Sequence, residues 1–397
     1  MAIKSLLELD YYKKTMQQFA WKKFPNEHVK YAFKNRTKNV TLGHLKDQLT
    51  QEIDRIKKIE LSDIEILFLK IQTIFSDDYL QFLKRVKLPD VNIDVDKNNE
   101  LIIETEGLWS EAIDWETIIL STVNELYYKT DKDSEKNAWK IGEERLLNKI
   151  QLLKQHPDLR FVDFGTRRAY STEWHKRVVE ILLNEIPTQL YGTSNVYLAN
   201  LFGVKNIGTS AHECPMILSR LFGNTDDNIR DSQNKFYDMW YEMYGENLSI
   251  CLPDTFGSDY TFSTFGKERF EKWKGFRQDS GDPTESALKQ LKKYEDFNID
   301  ATNKLFMPSD GLTVEKMIDL HTKFKSKILV LPAIGTSLTN DVGASPISIV
   351  MKAVEVNHMG LVKMSDNTGK FTGKTEDIER FKKIFNYENT SSQEIIF

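Results

Sequence analysis

Four short loops of the sequence combine glycine with threonine, and each follows a run of apolar residues. Glycine lets the backbone approach a ligand closely, and the hydroxyl and amide groups at the start of a following helix bind anions. One such loop alone is more often a helix cap than a ligand site. Four of them, one with two arginines, predict a site for a polyphosphate or a phosphosugar. The four loops are GTRR (165–168), GTSN (192–195), GTS (208–210) and GTS (335–337).

The segment RQDSGDP (277–283) adds a cation, Arg277, and two carboxylates to these loops. Carboxylates beside a phosphate site can hold Mg²⁺ or accept hydrogen bonds from ribose hydroxyls. Asp282 has an equally good structural explanation, because it can cap a helix that begins at Pro283. Asp279 lies too early in the segment to cap that helix, so we expect it to bind a ligand.

A histidine, His212, lies in the loop GTSAHE (208–213), where a helix is expected to begin. Ser210 and Glu213 have the spacing of a helix capping box, which gives Glu213 a structural role. His212 has no such role, and a histidine in a first helical turn beside anion-binding loops can act as an acid, a base or a nucleophile. The helix dipole there favours a phosphorylated imidazole over an imidazolium. Asp254, in PDTFG (253–257), is a candidate to orient the ring.

The region before these loops has the patterns of a mixed α and β domain. Apolar spacing predicts helices at 11–23, 42–59 and 109–128, a strand at 28–34 and a hairpin at 91–106 that turns near 96–99. The charged stretch 129–136 (KTDKDSEK) predicts a solvated linker or turn.

Beyond residue 136, short apolar runs alternate with helical segments, which indicates parallel β-α units. The seven runs are 161–164, 189–191, 204–207, 249–252, 276, 305–307 and 328–331. Seven or eight such units close most naturally into an irregular (β/α) barrel, with an open doubly wound sheet as the alternative. Strand-like patterning returns after residue 347, so the tail is expected to rejoin the N-terminal domain. We therefore predict an α/β fold with domains 1–135, 136–346 and 347–397.

Composition excludes several classes of protein. The 397 residues include 54 basic and 59 acidic side chains, so there is no positive surplus to attract nucleic acid. Two cysteines, Cys214 and Cys251, fit a reducing cytoplasm. Glu8 and Asp10 interrupt the N-terminal apolar pattern that a signal peptide needs. The longest apolar runs, such as 328–334, are far shorter than the roughly 20 residues that cross a bilayer, so we predict no membrane span.

An ordered set of motifs closely resembles the nicotinate phosphoribosyltransferases, which are type II phosphoribosyltransferases. The motifs are LLELDYYKKTMQ (6–17), FVDFGTRRA (161–169), YGTSNVYLA (191–199), GTSAHE (208–213), PDTFG (253–257), RQDSGDP (277–283), PSDGL (308–312) and IGTSLTND (334–341). The resemblance covers nearly the whole chain. Two departures are Leu9, where the family usually has a hydroxyl residue, and Cys214, where bacterial members often have tryptophan.

The resemblance implies an ATP-assisted condensation of nicotinate with phosphoribosyl pyrophosphate in NAD biosynthesis. The products would be nicotinate mononucleotide, pyrophosphate, ADP and phosphate, with Mg²⁺ as cofactor. The family likeness also implies a homodimer with shared active sites, in which the ring of Tyr12 meets Phe164 across the subunit boundary. Displacement of pyrophosphate at the anomeric carbon passes through an oxocarbenium-like state, so the site must hold the leaving group and the pyridine nitrogen in line.

The resemblance also implies a role for each site residue. The catalytic residues would be His212, Asp254, Arg277 and Asp279, with His212 phosphorylated by ATP. Nicotinate would bind to Tyr12, Phe164, Ser194, Thr209 and Arg277. Phosphoribosyl pyrophosphate would bind to Arg167, Asp279, Gly311, Gly335 and Thr336.

Three other functions remain open from the sequence. Nicotinamide phosphoribosyltransferases look similar but tend to have aspartate at the position of Ser194, where a carboxylate would repel that of nicotinate. Quinolinate phosphoribosyltransferases are shorter and lack the GTSAHE motif. A non-catalytic homologue that only binds or assembles is disfavoured by the intact His212, Arg277 and Asp279.

Overall fold

A computed structural model describes residues 3–129 and 132–388 and divides the chain into two compact units. The first unit runs to Gly208 and includes Ile334–Lys352. The second unit comprises Thr209–Ala333 and the residues that follow from Ala353. The division follows contacts in space, and the domain boundaries at 135 and 346 stay predictions from the sequence.

Helices and short strands alternate through most of the chain. The helices are α1 (Tyr11–Lys23), α2 (Lys46–Ile56), α3 (Asp63–Ile71), α4 (Asp77–Leu83), α5 (Trp109–Ala112), α6 (Trp115–Tyr128), α7 (Lys132–Lys154), α8 (Thr172–Glu185), α9 (Val196–Phe202), α10 (Glu213–Leu221), α11 (Asp226–Tyr244), α12 (Ser258–Thr264), α13 (Lys267–Lys272), α14 (Pro283–Asp296), α15 (Val314–Phe324), α16 (Thr336–Thr339) and α17 (Thr375–Ile384). The strands are β1 (His28–Asn35), β2 (Val91–Val95), β3 (Leu101–Leu108), β4 (Phe161–Asp163), β5 (Leu190–Thr193), β6 (Ile250–Cys251), β7 (Gly275–Gln278), β8 (Leu305–Pro308), β9 (Leu329–Val330), β10 (Ala333–Ile334), β11 (Ile349–Val356) and β12 (Met359–Gly360).

The predicted N-terminal hairpin is confirmed in the first unit. Strands β2 and β3 pair antiparallel with Val95 opposite Leu101, and β1 pairs on the other side of β3. The turn contains Asn99 at a φ of 61°, a left-handed conformation that asparagine tolerates better than most residues. Strand β11 lies beside β1 in this sheet, and the chain enters the second unit within that strand.

The long helix predicted for residues 109–128 is two helices, α5 and α6, so this prediction is wrong in detail. The side-chain amide of Gln17 donates a 2.7 Å hydrogen bond to the carbonyl of Ser110, which Asp114 would use in an unbroken helix. Asp114 itself is fully buried and binds the ammonium of Lys14 at 2.6 Å. Tertiary contacts from α1 therefore break the helix.

The predicted linker is also largely helical. Residues 132–136 belong to α7, whereas residues 130 and 131 lie outside the described part of the chain. The distal half of α7 buries Leu146, Ile150 and Leu153. A packed segment of this kind supplies the helix nucleus, and each added turn then forms easily even where the residues are charged.

Parallel pairing of the later strands is confirmed. In the first unit β4 pairs parallel with β5, and in the second unit β6, β7, β8 and β9 form a parallel sheet in that order. The run 204–207 forms a single bridge, from Asn206 to Thr193, in place of the expected strand. Gly203 and Gly208, both at positive φ, leave only four residues between two bends. Closure of the strands into a barrel stays a prediction.

The second unit has its own aromatic core. Phe256 stacks on Phe385 with ring centroids 4.3 Å apart, and Phe381 and Ile229 belong to the same cluster. Helix α17 therefore packs on α11 and on the loop that carries PDTFG. In the parts of the chain that are described, no helix is both long enough and apolar enough to cross a membrane.

Candidate active site

His212 immediately precedes helix α10 in the second unit. The capping box predicted for Ser210 and Glu213 does not form, because the helix begins at Glu213 and His212 occupies the N-cap position without a side-chain cap. Pro215 explains the shift. A helix capped by Ser210 would place Pro215 at its fifth position, where proline lacks the required N–H and clashes with the preceding turn. A start at Glu213 moves Pro215 into the first turn, where it is tolerated.

Two loops of the second unit hold the imidazole of His212. Its Nδ1 lies 3.0 Å from the hydroxyl of Thr255, and its Nε2 lies 3.1 Å from Oδ2 of Asp279. The nearer oxygen of Asp254 is 3.6 Å from Nε2, which is beyond a hydrogen bond. Thr255, which the sequence analysis missed, is thus the hydrogen-bond partner in PDTFG, next to the residue proposed for that role.

The surroundings of His212 favour a neutral ring. Burial lowers the pKa of His212, as does the charge of Lys363, whereas Asp254 and Asp279 act in the opposite direction. Asp279 remains ionised: burial raises its pKa, but Arg277, His212 and Lys370 bring it well below the usual value. We assign the imidazole proton to Nε2, since an ionised carboxylate only accepts hydrogen bonds. Nδ1 then carries the lone pair.

Asp254 is nearly inaccessible to solvent and only partly satisfied. Its Oδ2 accepts a hydrogen bond from the hydroxyl of Ser280, but its Oδ1 has no hydrogen-bond partner within residues 3–129 and 132–388. His212, Asp254 and Asp279 each offer one ligand atom within 4.8 Å of the others. Paired carboxylate oxygens of this kind suit a hard cation such as Mg²⁺.

The other predicted residues of the second unit lie in strands or in the loops between elements. Arg277 is in β7 and is 9% exposed, and Gly311 follows β8 at a φ of 56°. The hydroxyl of Thr209 donates to the carbonyl of Ile250 at 3.2 Å. Asp282 caps α14 by accepting from the amide of Glu285 at 2.9 Å, so its structural explanation is confirmed.

In the first unit, Arg167 is held by two carboxylates. Its guanidinium lies 3.0 Å from Asp10 and 2.9 Å from Glu116, and it stacks 5.6 Å from the ring centroid of Tyr12 in the same chain. Glu116 also binds the buried ammonium of Lys13 at 2.5 Å. Burial raises the pKa of Glu116, but Lys13 and Arg167 lower it by more, so the net pKa is below the ordinary value. The carboxylate is therefore charged and fixes the position of Arg167.

Ser194 is fully buried beside a carboxylate. Its hydroxyl donates to Oδ1 of Asp10 at 2.6 Å, and the hydroxyl of Thr166 lies 3.3 Å away. Asp10 is neutralised by Arg167 on its other oxygen. The GTRR and GTSN loops therefore meet at Ser194.

A buried pair beneath these two loops was not predicted. Asp163, at the end of β4, contacts Nε2 of His175 at 2.6 Å and accepts from the hydroxyl of Thr193 at 2.6 Å. Its second oxygen accepts from the amide of Gly165 at 2.8 Å. One carboxylate thus joins both loops. The only sequence signal was an aspartate inside a buried strand, which needs a partner.

The remaining predicted residues of the first unit lie at the start of α16. The amide of Phe164 donates to the carbonyl of Ile334 at 2.8 Å, and Gly335 follows at once. A Cβ on Gly335 would lie 3.0 Å from the carbonyl oxygen of Phe164, so the close approach favours glycine. Thr336 is the first residue of the helix.

Comparison with known proteins identifies the family. Residues 159–389 match the sequence model of the nicotinate phosphoribosyltransferase (NAPRTase) family, and residues 7–124 match that of its N-terminal domain. The chain belongs to the nicotinate phosphoribosyltransferase family. It is therefore a pentosyltransferase, and the non-catalytic alternative is not supported.

Relatives and solved structures agree with this assignment. The nicotinate phosphoribosyltransferase of Acinetobacter baumannii is 36% identical over 381 residues, 93% of each chain. That of Burkholderia ambifaria is 34% identical over 378 residues, again 93% of each chain. The crystal structure of nicotinate phosphoribosyltransferase from Porphyromonas gingivalis superposes with a TM-score of 0.89 at 29% identity, covering 97% of this chain and 100% of that one. The crystal structure of nicotinate phosphoribosyltransferase from Vibrio cholerae superposes with a TM-score of 0.90 at 28% identity, covering 98% of this chain and 94% of that one.

The two departures from the family pattern lie in the core. Leu9 is fully buried, and its carbonyl accepts from the amide of Val196 at 3.0 Å. Cys214 is a buried cysteine in the first turn of α10. Both departures are therefore changes among buried residues.

Proposed function

We propose that this member of the nicotinate phosphoribosyltransferase family couples nucleotide formation to ATP hydrolysis through a phosphorylated His212. The supporting observation is a largely enclosed imidazole with a lowered pKa, whose Nε2 lies 3.1 Å from a carboxylate oxygen of Asp279. The Nδ1 lone pair attacks the γ-phosphorus of ATP, a P–N bond forms, and the bond to the β,γ-bridging oxygen breaks to release ADP. Asp279 offsets the positive charge that develops on the ring.

The phosphoribosyl transfer needs no nucleophilic side chain. The pyridine nitrogen of nicotinate attacks the anomeric carbon as pyrophosphate leaves, and cations must hold the negative leaving group and 5′-phosphate. We assign Arg167 to the diphosphate, Asp279 to the ribose hydroxyls, and Gly311, Gly335 and Thr336 to the 5′-phosphate. The fixed orientation of Arg167, set by Asp10 and Glu116, supports its assignment.

The carboxylates near His212 fit the proposed Mg²⁺. Asp254 and Asp279 would hold the ion, because Asp254 provides a buried oxygen without a hydrogen-bond partner in the described chain and Asp279 provides a partly exposed one beside it. When bound, Mg²⁺ neutralises charge on a diphosphate.

The direct test of the whole proposal is a product assay with nicotinate or nicotinamide, each with and without ATP. Nucleotide formation from nicotinate that ATP stimulates is the expected result, and preferential use of nicotinamide would contradict it.

Ser194 is expected to govern the choice between nicotinate and nicotinamide. Ser194→Asp should lower the ratio of kcat/KM for nicotinate to that for nicotinamide, since two like charges at about 4 Å repel by about 1–4 kcal/mol. The introduced carboxylate would also lie close to Asp10, which the Ser194 hydroxyl contacts at 2.6 Å. Ser194→Asn is the matched neutral control for side-chain size. An equal ratio in both variants would show that Ser194 does not face the substrate carboxylate.

We further propose a homodimer in which each active site uses residues of both subunits. The family resemblance supports this assignment by setting Tyr12 of one subunit against Phe164 of the other, which would stabilise a pyridine ring by about 0.5–1.5 kcal/mol per aromatic pair. Tyr12→Ala should raise the KM for nicotinate several-fold, and Arg277→Ala should reduce activity more strongly because it removes a charge partner of anionic substrates.

Mixing these two variants tests the shared site. Heterodimers of Tyr12→Ala and Arg277→Ala subunits contain one unmutated site if each site draws the two residues from different subunits. Activity at low nicotinate should then exceed that of either variant alone, with differently tagged subunits used to measure exchange. Demonstrated exchange without a gain in activity would place Tyr12 and Arg277 of one site in one chain.

A further inference from the structure

The C-terminal segment 361–370 (LVKMSDNTGK), here called the tail loop, lies beside His212 within the second unit. Lys363 forms an antiparallel bridge with Thr372, in which each backbone amide donates to the other residue's carbonyl at 2.9 Å. This bridge fixes the backbone from which the Lys363 side chain extends. The sequence analysis assigned no function to this part of the chain.

Both loops that surround His212 are tied to the tail loop. The amide of Met364 donates to the carbonyl of Thr255 at 2.9 Å, and Thr255 is the partner of His212 Nδ1. The amide of Asp366 donates to the hydroxyl of Ser280 at 3.0 Å. These bonds hold the residues on the C-terminal side of Lys363 against the groups that position the imidazole.

The second lysine of the tail loop is paired. The ammonium of Lys370 donates to the backbone carbonyl of Asp279 at 3.0 Å and lies 2.6 Å from a carboxylate oxygen of Asp310. It therefore has a structural role in fixing the loop after β7 to the loop after β8. Lys363 differs from it.

The side chain of Lys363 is buried, but its ammonium has no partner among the residues that the structure describes. The residue is 5% exposed, yet within the described ranges no atom forms a hydrogen bond or an ion pair with its Nζ. Two buried lysines of the first unit are paired, in contrast. Lys13 lies 2.5 Å from a carboxylate oxygen of Glu116, and Lys14 lies 2.6 Å from one of Asp114. Buried charges in proteins are normally paired, so an unpaired ammonium indicates an anion that binds from outside.

Electrostatics place this ammonium among the groups around His212. Burial lowers the pKa of Lys363, while Asp254, Asp279 and Asp310 act in the opposite direction. In turn, the charge of Lys363 lowers the pKa of the His212 imidazole. The carboxylates of Asp254 and Asp279 contribute charge without direct contact, so the hydrogen-bond donors of the ammonium remain available to a ligand.

We propose that Lys363 binds the phosphoryl group that is transferred to His212. Its ammonium donates hydrogen bonds to the phosphoryl oxygens while the P–N bond to His212 forms and the bond to ADP breaks, and it then holds the phosphohistidine. Lys363 stays protonated throughout and exchanges no proton. The inference rests on the proposed function, because it needs a phosphorylated His212.

The test compares Lys363→Met with Lys363→Arg and with Lys374→Met, an exposed lysine of the same C-terminal region that serves as the matched control. In Lys363→Met, labelling of His212 from γ-labelled ATP and substrate-stimulated ATP hydrolysis should fall about 100-fold to 1000-fold, as when one donor to a developing anion is removed. Lys363→Arg should recover part of this loss, and Lys374→Met should behave as the unmodified chain.

Two further measurements separate the possible outcomes. Without ATP, the KM of Lys363→Met for phosphoribosyl pyrophosphate should stay within about twofold; a large increase would assign Lys363 to the diphosphate of that substrate and overturn the proposal. Normal labelling of His212 in Lys363→Met would also overturn the role of Lys363. The proposal that His212 is phosphorylated would then still stand. Absence of label in the unmodified protein would refute the proposed function itself. The melting temperature of Lys363→Met should be unchanged or higher, because an unpaired buried charge is removed.

Discussion

Replacing His212 with asparagine should abolish the stimulation of nucleotide formation by ATP and leave a slow, ATP-independent reaction. Asparagine keeps polar atoms near Thr255 and Asp279 but has no nucleophilic nitrogen, so no phosphoryl group can be transferred to it. The groups assigned to phosphoribosyl pyrophosphate remain in place. The measurement is the rate of nicotinate mononucleotide formation with and without ATP, together with ADP release.

Thr255→Val is expected to have a weaker effect on ATP coupling than His212→Asn. Valine removes the hydroxyl that lies 3.0 Å from Nδ1 but leaves the imidazole, so ATP coupling should weaken without being lost. Equal ATP stimulation in His212→Asn and in the unmodified protein would exclude His212 as the phosphorylated residue. Loss of the ATP-independent reaction as well would show that His212 acts in phosphoribosyl transfer.

Replacing His175 with alanine should lower the free energy of unfolding by about 3–5 kcal/mol, the usual effect of leaving a buried charge without its partner. His175 is 2% exposed and contacts Asp163 at 2.6 Å, so the variant leaves a buried carboxylate without its main partner. Chemical denaturation measures the change, with the half-exposed His156→Ala as control. Adding Asp163→Asn to His175→Ala should restore part of the stability, because the buried charge is then absent.

The effect of His175→Ala should depend on pH. Burial raises the pKa of Asp163, but His175, Thr193 and the amide of Gly165 together bring it below its ordinary value. The ionised carboxylate of Asp163 therefore stabilises the fold fully above the ordinary aspartate pKa of about 4, and this stabilisation is lost as the pH falls through its lowered pKa. The difference between the two proteins should shrink below about pH 4. A difference that is constant with pH would assign the loss to packing alone.

The sequence by itself determined the type of fold, the family and the positions of most functional loops. Helix α1 and strand β1 begin where apolar periodicity places them, and six of the seven apolar runs are strands. Glycine, threonine and aspartate after the strands indicated the functional loops, because parallel β-α units have their functional loops at the carboxyl ends of the strands. Local preferences act within a few residues, so a pattern of neighbouring residues suffices to detect them.

Only the tertiary structure decided which distant residues meet. Thr255 is 43 residues from His212, and the break between α5 and α6 depends on Gln17, which lies far from it in sequence. Lys363 lies in the strand-like tail, to which the sequence analysis assigned no function, and the burial of its side chain appears only after folding. Pairing, burial and desolvation depend on contacts between segments far apart in sequence, which no local pattern records.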